Sequence, residues 1–276
     1  MQLTVRRRGG WVRLLLLAAA GMAAGLAFGW GAAGFPAGGG PSPALSSGGG
    51  PAVSAGAESV PDAPPPGAKR VCLTFDDGPS RTTPAVLEAL ADAGVPATFF
   101  VVAGESNERY LPLIRQARQE GHEIALHSAS HRYSDIYRSA DAFWADIELL
   151  RERLAPWLEG EEPLCLRFPG GSTNTVSRKY GGDGIMAELK EQAEARGLRW
   201  VDWNVSAEDA AGEKLSADAI LRNVTEGSAG LENCVVLMHD SPSTGTTAEA
   251  LPAIIDWYKD NGYAFCTVSQ LYDSLA

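Results

Sequence analysis

Residues 69–276 predict an α/β fold, a barrel of parallel strands with fewer units than the eightfold one. Three features carry the expectation. Short apolar, β-rich runs alternate with amphipathic helical stretches. The runs are apolar on both faces, as strands covered by crossover helices must be. Seven of them fit into about 200 residues, and no internal repeat accompanies them.

The chain opens with a basic segment, residues 1–13, which holds Arg6, Arg7, Arg8 and Arg13. Residues 14–35, LLLLAAAGMAAGLAFGWGAAGF, then carry no charge, a length close to the ~20 residues that span a hydrocarbon core. The basic flank places residues 1–13 in the cytoplasm and the rest of the chain outside. A cleaved signal peptide has an apolar region of only ~7–15 residues, so a single-pass anchor is expected in preference to secretion after cleavage. A twin-arginine signal fits poorly, because Gly9-Gly10 follow the arginines.

Residues 36–68 are Gly, Pro, Ser and Ala with few aliphatic side chains. Such a stretch cannot bury enough apolar surface to offset its ordering entropy and reads as a disordered linker. It would span ~30 Å as a flexible coil and about three times that as a polyproline helix.

The seven runs are VCLTF (71–75), ATFFVV (97–102), EIALH (123–127), LCLRF (164–168), LRWVDWNV (198–205), CVVLM (234–238) and YAFCTV (263–268). Helical periodicity falls between them, at 83–93, 110–120 and 140–154 among others. Cys72, Cys165, Cys234 and Cys266 all lie in the runs without C-x-x-C spacing, which disfavours a structural zinc site. Buried free thiols are expected, with disulfides the alternative for an exported domain. The first 68 residues carry four Arg against Glu58 and Asp62, so residues 69–276 hold 19 basic and 32 acidic groups, a balance of −13. So acidic a domain is a poor partner for nucleic acid, whose binding depends on phosphate neutralisation. No protein partner is inferred.

In parallel β/α architectures, function collects where the strands end. The segments there are Asp76-Asp77-Gly78-Pro79, HSASH (127–131), RFPGG (167–171), SAED (206–209) and His239-Asp240. Three of the four histidines stand among them. Two imidazoles four positions apart can converge on one cation, and a carboxylate completes a three-ligand set that leaves a position open. That set suits Zn²⁺, and Co²⁺, Ni²⁺ or Fe²⁺ would also accept it. His122, at the start of its run, is expected to lie away from this rim as a structural residue. DDGP alone also reads as an exposed turn.

In this order, TFDDGP (74–79), HSASH, RFPGG and LMHD (237–240) resemble the polysaccharide deacetylase (NodB homology) domain, carbohydrate esterase family 4, over residues 70–275. One such string alone is a weak signal; four in sequence, each at a strand end, are specific. The resemblance implies a distorted (β/α)7 barrel and metal-dependent removal of N- or O-acetyl groups from a polysaccharide. It gives Asp77, His127 and His131 to the metal and makes Asp76 the general base, paired with Arg167. It makes His239 the general acid, gives the Gly170 amide to the oxyanion, and sets Leu237 in the apolar pocket for the acetyl methyl. It says nothing of the first 68 residues.

The chemistry asks for the same parts. An amide is a poor electrophile and water a poor nucleophile, defects that a divalent ion corrects. A carboxylate takes the water proton, an N–H group holds the oxyanion, and the leaving nitrogen takes a proton from a histidine that an acid keeps charged. Asp209 is the candidate for that acid. Two adjacent aspartates are then tolerable, since metal charge faces Asp77 and Arg167 faces Asp76.

The chain departs from the family pattern at Ala210, where many members carry Trp, so an aromatic wall is missing or supplied elsewhere. Trp203 is a substitute or simply core. Gly170, where a bulkier residue is common, is expected to open the site. Phe168 and Tyr133 either stack on sugar rings or only pack, and Trp144 and Trp157 are assigned to packing. Anchor and linker together point to a cell wall, hence to peptidoglycan N-acetylglucosamine as substrate. Chitin oligosaccharide or exopolysaccharide comes next, then acetyl xylan. An inactive glycan-binding or morphogenesis protein on the same fold would be expected to lack the base or a ligand, and none is missing. A glycoside hydrolase needs carboxyls ~5 Å or more apart on opposite sides of the bond, for which Asp76 and Asp77 are ill suited.

Overall fold

The computed structural model describes residues 4–7, 10–13 and 67–275. β1 (Thr4–Arg7) and β2 (Gly10–Arg13) form an antiparallel ribbon. Residues 14–35 and most of 36–68 lie outside the described residues, and so do the expectations of an anchor and a linker there. Among the described residues, no helix is long and apolar enough to cross a membrane.

The remainder alternates as the periodicity predicts. β3 (Lys69–Asp76), α1 (Thr83–Ala93), β4 (Thr98–Val102), α2 (Pro112–Gln119) and β5 (Glu123–Ser128) come first. α3 (Tyr133–Ile136), α4 (Ala140–Leu158), β6 (Cys165–Leu166), α5 (Arg178–Gly181), α6 (Ile185–Ala195) and β7 (Arg199–Trp200) follow. β8 (Val205–Ser206), α7 (Ala217–Gly227), β9 (Asn233–His239), α8 (Gly245–Asp260), β10 (Tyr263–Phe265) and α9 (Val268–Leu275) complete it. Local signals mark the boundaries. Ser139 caps α4 by accepting from the Ala142 amide (3.1 Å), a contact whose loss typically costs about 0.5–2 kcal/mol. Gly94 ends α1 in the left-handed conformation.

The strands form one parallel sheet in the order β7-β6-β5-β4-β3-β9-β8, with β10 beside the start of β3. β7 and β8, at opposite edges, are four residues apart in sequence, so the sheet curls round on itself as a seven-unit barrel does. The sequence run 198–205 is therefore not one strand but two short ones flanking a seam. Side chains add to the backbone bonds at the seam, where the Val201 amide still meets the Leu166 carbonyl (2.8 Å) and the Asn204 amide the Val235 carbonyl (3.1 Å). Asn204 bonds the Asn233 carbonyl (2.8 Å) and the Val235 amide (2.7 Å), and the Arg167 guanidinium takes the carbonyls of Val201 (3.2 Å) and Asp202 (3.4 Å). The last run is also shorter than predicted: β10 stops at Phe265, and Val268 already begins α9, whose Val268 and Leu271 plug the foot of the barrel.

The two-residue period of a strand sorts the core. In β3, Val71, Leu73 and Phe75 face the helices, whereas Cys72 joins Phe100, Ala125, Cys165, Val235 and Cys266 in the barrel interior. All four cysteines are buried free thiols, and Cys266 lies just past β10 rather than within it. His122 precedes β5 at the foot of the barrel, where its Nδ1 accepts the Ala97 amide (3.2 Å) and burial pushes its pKa down to about 4.

Candidate active site

The same alternation builds the site. Counting up from the inward-facing Cys72, Thr74 and Asp76 also point inward. Ala125 is likewise followed by His127, and Val235 by Leu237 and His239. Asp76 is in register with both His239 on β9 and Phe100 on β4, so base and acid candidates sit side by side at the upper rim. The rim is not an exposed turn. Asp76, Gly78 and Pro79 are buried, and the loop is tied to β4 through the Asp77 amide on the Phe100 carbonyl (3.2 Å) and the Val102 amide on the Gly78 carbonyl (2.7 Å).

Arg167 is fully buried beneath this rim. One guanidinium nitrogen donates to Asp76 Oδ1 (2.7 Å) and to Thr74 Oγ1 (2.8 Å), and the group lies 4.0 Å from the Phe100 ring centroid. Such a pair fixes one carboxylate oxygen of Asp76 and leaves Oδ2 toward His127 Nε2, 3.9 Å away.

Asp77, His127 and His131 converge. Asp77 Oδ1 lies 3.5 Å from His127 Nε2 and 3.3 Å from His131 Nε2. Burial opposes the charge on Asp77, but His131 and His127 outweigh it and hold the carboxyl well below the usual range. Asp77 and His131 both have left-handed backbones (φ 70° and 52°), a conformation that costs non-glycine residues about 1–3 kcal/mol each. At His131 the compensation comes from Asp146 on α4. Its carboxylate accepts from the Ser128 hydroxyl (2.6 Å) and from the Ala129 (2.8 Å) and Ser130 (3.0 Å) amides, and Ser128 Oγ then accepts the His131 amide (2.8 Å). Hydrogen bonds to a charged group contribute about 1.5–3 kcal/mol each, enough to set the loop. Asp146→Ala is therefore expected to keep the fold but weaken Zn²⁺ binding at least tenfold, measured by calorimetric titration.

His239 and Asp209 form the second pair. Asp209 Oδ1 meets His239 Nδ1 (2.8 Å), while Oδ2 accepts the His239 amide (2.8 Å) and the Thr247 hydroxyl (2.7 Å). Burial lowers the imidazole pKa, but Asp209, with Asp77 and Asp76 farther off, raises it to about 9. A raised pKa keeps His239 protonated at neutral pH and loses that proton as pH rises through about 9. Activity that needs the acid should fall on the same limb. Asp209→Asn is expected to move that limb down toward the ordinary histidine value near 6.5, checked by a pH profile of kcat/KM.

Residues 63–183 match the family described as polysaccharide deacetylase. The chain is 33% identical over 207 residues to a peptidoglycan-N-acetylglucosamine deacetylase of Bacillus cereus, spanning 74% of this chain and 88% of that one. The chain belongs to the polysaccharide deacetylase family. It is also 32% identical over 206 residues to the peptidoglycan-N-acetylglucosamine deacetylase PgdA of Listeria monocytogenes, covering 74% of this chain but only 39% of that protein. Among solved structures, the catalytic domain of a peptidoglycan N-acetylglucosamine deacetylase from Eubacterium rectale superposes with a TM-score of 0.70 at 39% identity, over 75% of this chain and 92% of that one.

Polysaccharide deacetylases of carbohydrate esterase family 4 are metal-dependent, and the residues here fit a divalent ion. Ligand atoms of Asp77, His127 and His131 all lie within 4.8 Å of one another, and Asp77 Oδ1 is buried without a hydrogen-bond partner. His127 Nδ1 is 2.7 Å from the Arg167 carbonyl, which places the proton there and leaves Nε2 a lone pair facing Asp77.

Against the deacetylase pattern, one sequence expectation changes, and Phe168 and Tyr133 take the packing alternative. Gly170 does not open the site: a Cβ there would stand 2.6 Å from the Tyr133 hydroxyl, so the phenol fills the space of a residue-170 side chain. Phe168 is buried among core residues and cannot stack on a sugar. Tyr133 instead sets its ring edge-on to His131, centroids 5.6 Å apart, and burial, with Asp77 and Asp76, pushes its phenol up to about 12. Ala210 is exposed, and Trp203 is half-buried, 3.1 Å from where a Gly171 Cβ would be. Gly78 is obligatory, because a Cβ would fall 2.0 Å from the buried Asp240 carboxylate. Leu237 is nearly buried on the inward face of β9.

Sequence reading missed Asp146, and a signal was present. Phe143, Ile147, Leu150 and Leu154 make the buried stripe of α4, and Asp146 is an acid beside that stripe.

Proposed function

We propose that this protein hydrolyses the acetamido group of N-acetylglucosamine residues in an extracellular polysaccharide, with peptidoglycan as the substrate. The observation that carries the reading is the convergence of Asp77, His127 and His131, flanked by the Asp76–Arg167 pair and the His239–Asp209 pair. When bound, a divalent cation, Zn²⁺ before Co²⁺ or Ni²⁺ for this donor set, supplies Lewis acidity to the acyl carbonyl and to water. Asp77, His127 and His131 would hold it.

The chain's own residues do the rest. Asp76, oriented by Arg167, takes a proton from the attacking water. The Gly170 amide donates to the acyl oxygen as charge develops there. His239, held protonated by Asp209, gives a proton to the departing amine, so that amide and water become amine and acetate. Leu237 supplies apolar surface for the acetyl methyl. The choice of peptidoglycan is supported by the relatives from Bacillus cereus, Listeria monocytogenes and Eubacterium rectale. It is also supported by the uncharged stretch 14–35, read as a single-pass anchor that leaves residues 69–276 as an extracellular catalytic domain on the 36–68 linker.

Acetate release from peptidoglycan, chitin oligosaccharide, an acetylated exopolysaccharide and acetyl xylan, with and without added Zn²⁺, tests the reading. The expected result is Zn²⁺-stimulated acetate release, fastest on peptidoglycan, without chain shortening. Shortened chains, or no acetate from any of the four, would overturn it.

A further inference from the structure

The Tyr133 hydroxyl stands at the rim with no hydrogen-bond partner among the described residues. A tyrosine packed into a protein normally finds one for its O–H. Here the ring is held between His131 (5.6 Å) and Tyr137 (5.7 Å) in tilted and edge contacts, which aims the hydroxyl instead of leaving it to rotate. It is aimed at Gly170, 2.6 Å from the point where a Cβ would be, and Tyr133 Cε1 and the Asn174 Cβ lie 3.3 Å from that same point. The phenol therefore lies between a metal-ligand candidate on one side and the residue whose amide is the oxyanion donor on the other. Glycine with φ 77° is what admits it so close.

We propose that the Tyr133 hydroxyl is a second hydrogen-bond donor to the acyl oxygen, beside the Gly170 amide; the inference rests on the deacetylase reading above. A donor fixed in advance where charge develops accelerates the chemical step more than it tightens substrate binding. The sequence explains its origin: Tyr133 follows the second histidine of HSASH by two residues, so the loop that positions His131 also positions the phenol.

Tyr133→Phe tests this, since it keeps the ring against His131 and removes only the oxygen. With Zn²⁺-loaded protein, kcat on an acetylated glycan is expected to fall at least tenfold with KM within twofold. Calorimetric affinity for acetate, whose carboxylate mimics the acyl oxygen, should weaken at least fivefold while Zn²⁺ affinity stays unchanged. Unchanged kcat and acetate affinity in an active wild-type background would overturn the proposal, and so would a loss fully matched by a loss of Zn²⁺ affinity, which would make Tyr133 a support for His131 alone. A wild type that releases no acetate from any glycan, combined with weaker acetate binding by Tyr133→Phe, would remove the deacetylase reading and leave the donor standing.

Discussion

Asparagine at position 76 is expected to lower kcat by about 10²–10⁴ while leaving bound Zn²⁺ at wild-type stoichiometry. The substitution keeps the shape of the side chain and removes its ability to accept a proton from water. Asp76 is nearly buried, and its Oδ1 is committed to Arg167 at 2.7 Å, which leaves Oδ2, on the His127 side, as the oxygen free to take the proton. The change has a second cost, because it leaves the fully buried guanidinium without its counter-charge, and breaking a buried pair from one side typically costs about 3–5 kcal/mol. Thr74 Oγ1 and the Val201 and Asp202 carbonyls still accept from Arg167, so the variant should fold with a lowered Tm. Metal content by elemental analysis, thermal unfolding and steady-state acetate release together separate these effects. Near-normal turnover with metal retained would remove Asp76 as the base.

The readable part of this fold was whatever a single periodicity controls. Short continuous apolar runs, bounded by polar and turn residues, gave β3, β4, β5 and β9 to within a residue or two, and the 3.6-residue pattern gave α1 with its boundaries. The rim followed from the rule that strand ends carry function, and His122, at the opposite end of β5, was separable from His127 for the same reason. Composition could not disclose where the strand breaks and side chains add to the ladder. LRWVDWNV has the apolar content of one strand, yet Arg167 takes the acceptors of Val201 and Asp202, and Asn204 adds two side-chain bonds to the one its amide makes with β9. Those partners lie more than thirty residues away or on another strand, beyond any local pattern. The same holds at the site. Glycine at 170 reads locally as empty space, and only the folded chain brings Tyr133, 37 residues earlier, into that volume.

Alanine at position 131 is expected to weaken Zn²⁺ binding by orders of magnitude and, through it, to abolish acetate release at micromolar metal. The two histidines of HSASH differ in burial: His127 is almost fully enclosed, whereas the His131 side chain is about a third exposed (32%). Removing His131 therefore deletes a ligand with little loss of core packing, and the protein without metal should unfold near its wild-type temperature. The gain in Tm on adding Zn²⁺ should disappear, because a site-bound ion at a hundred times its Kd stabilises by about 2.7 kcal/mol only while that Kd is kept. His122→Ala makes the opposite exchange. Its ring packs on Phe99 (5.6 Å) and its Nδ1 takes the Ala97 amide, so the loss should appear in the Tm of the metal-free protein while the Zn²⁺ titration stays as in wild type. Calorimetric titration and thermal unfolding of both variants distinguish a ligand from a support. If His131→Ala binds Zn²⁺ as tightly as wild type, the Asp77, His127 and His131 cluster does not hold the ion, and the site's chemistry must be sought from other groups.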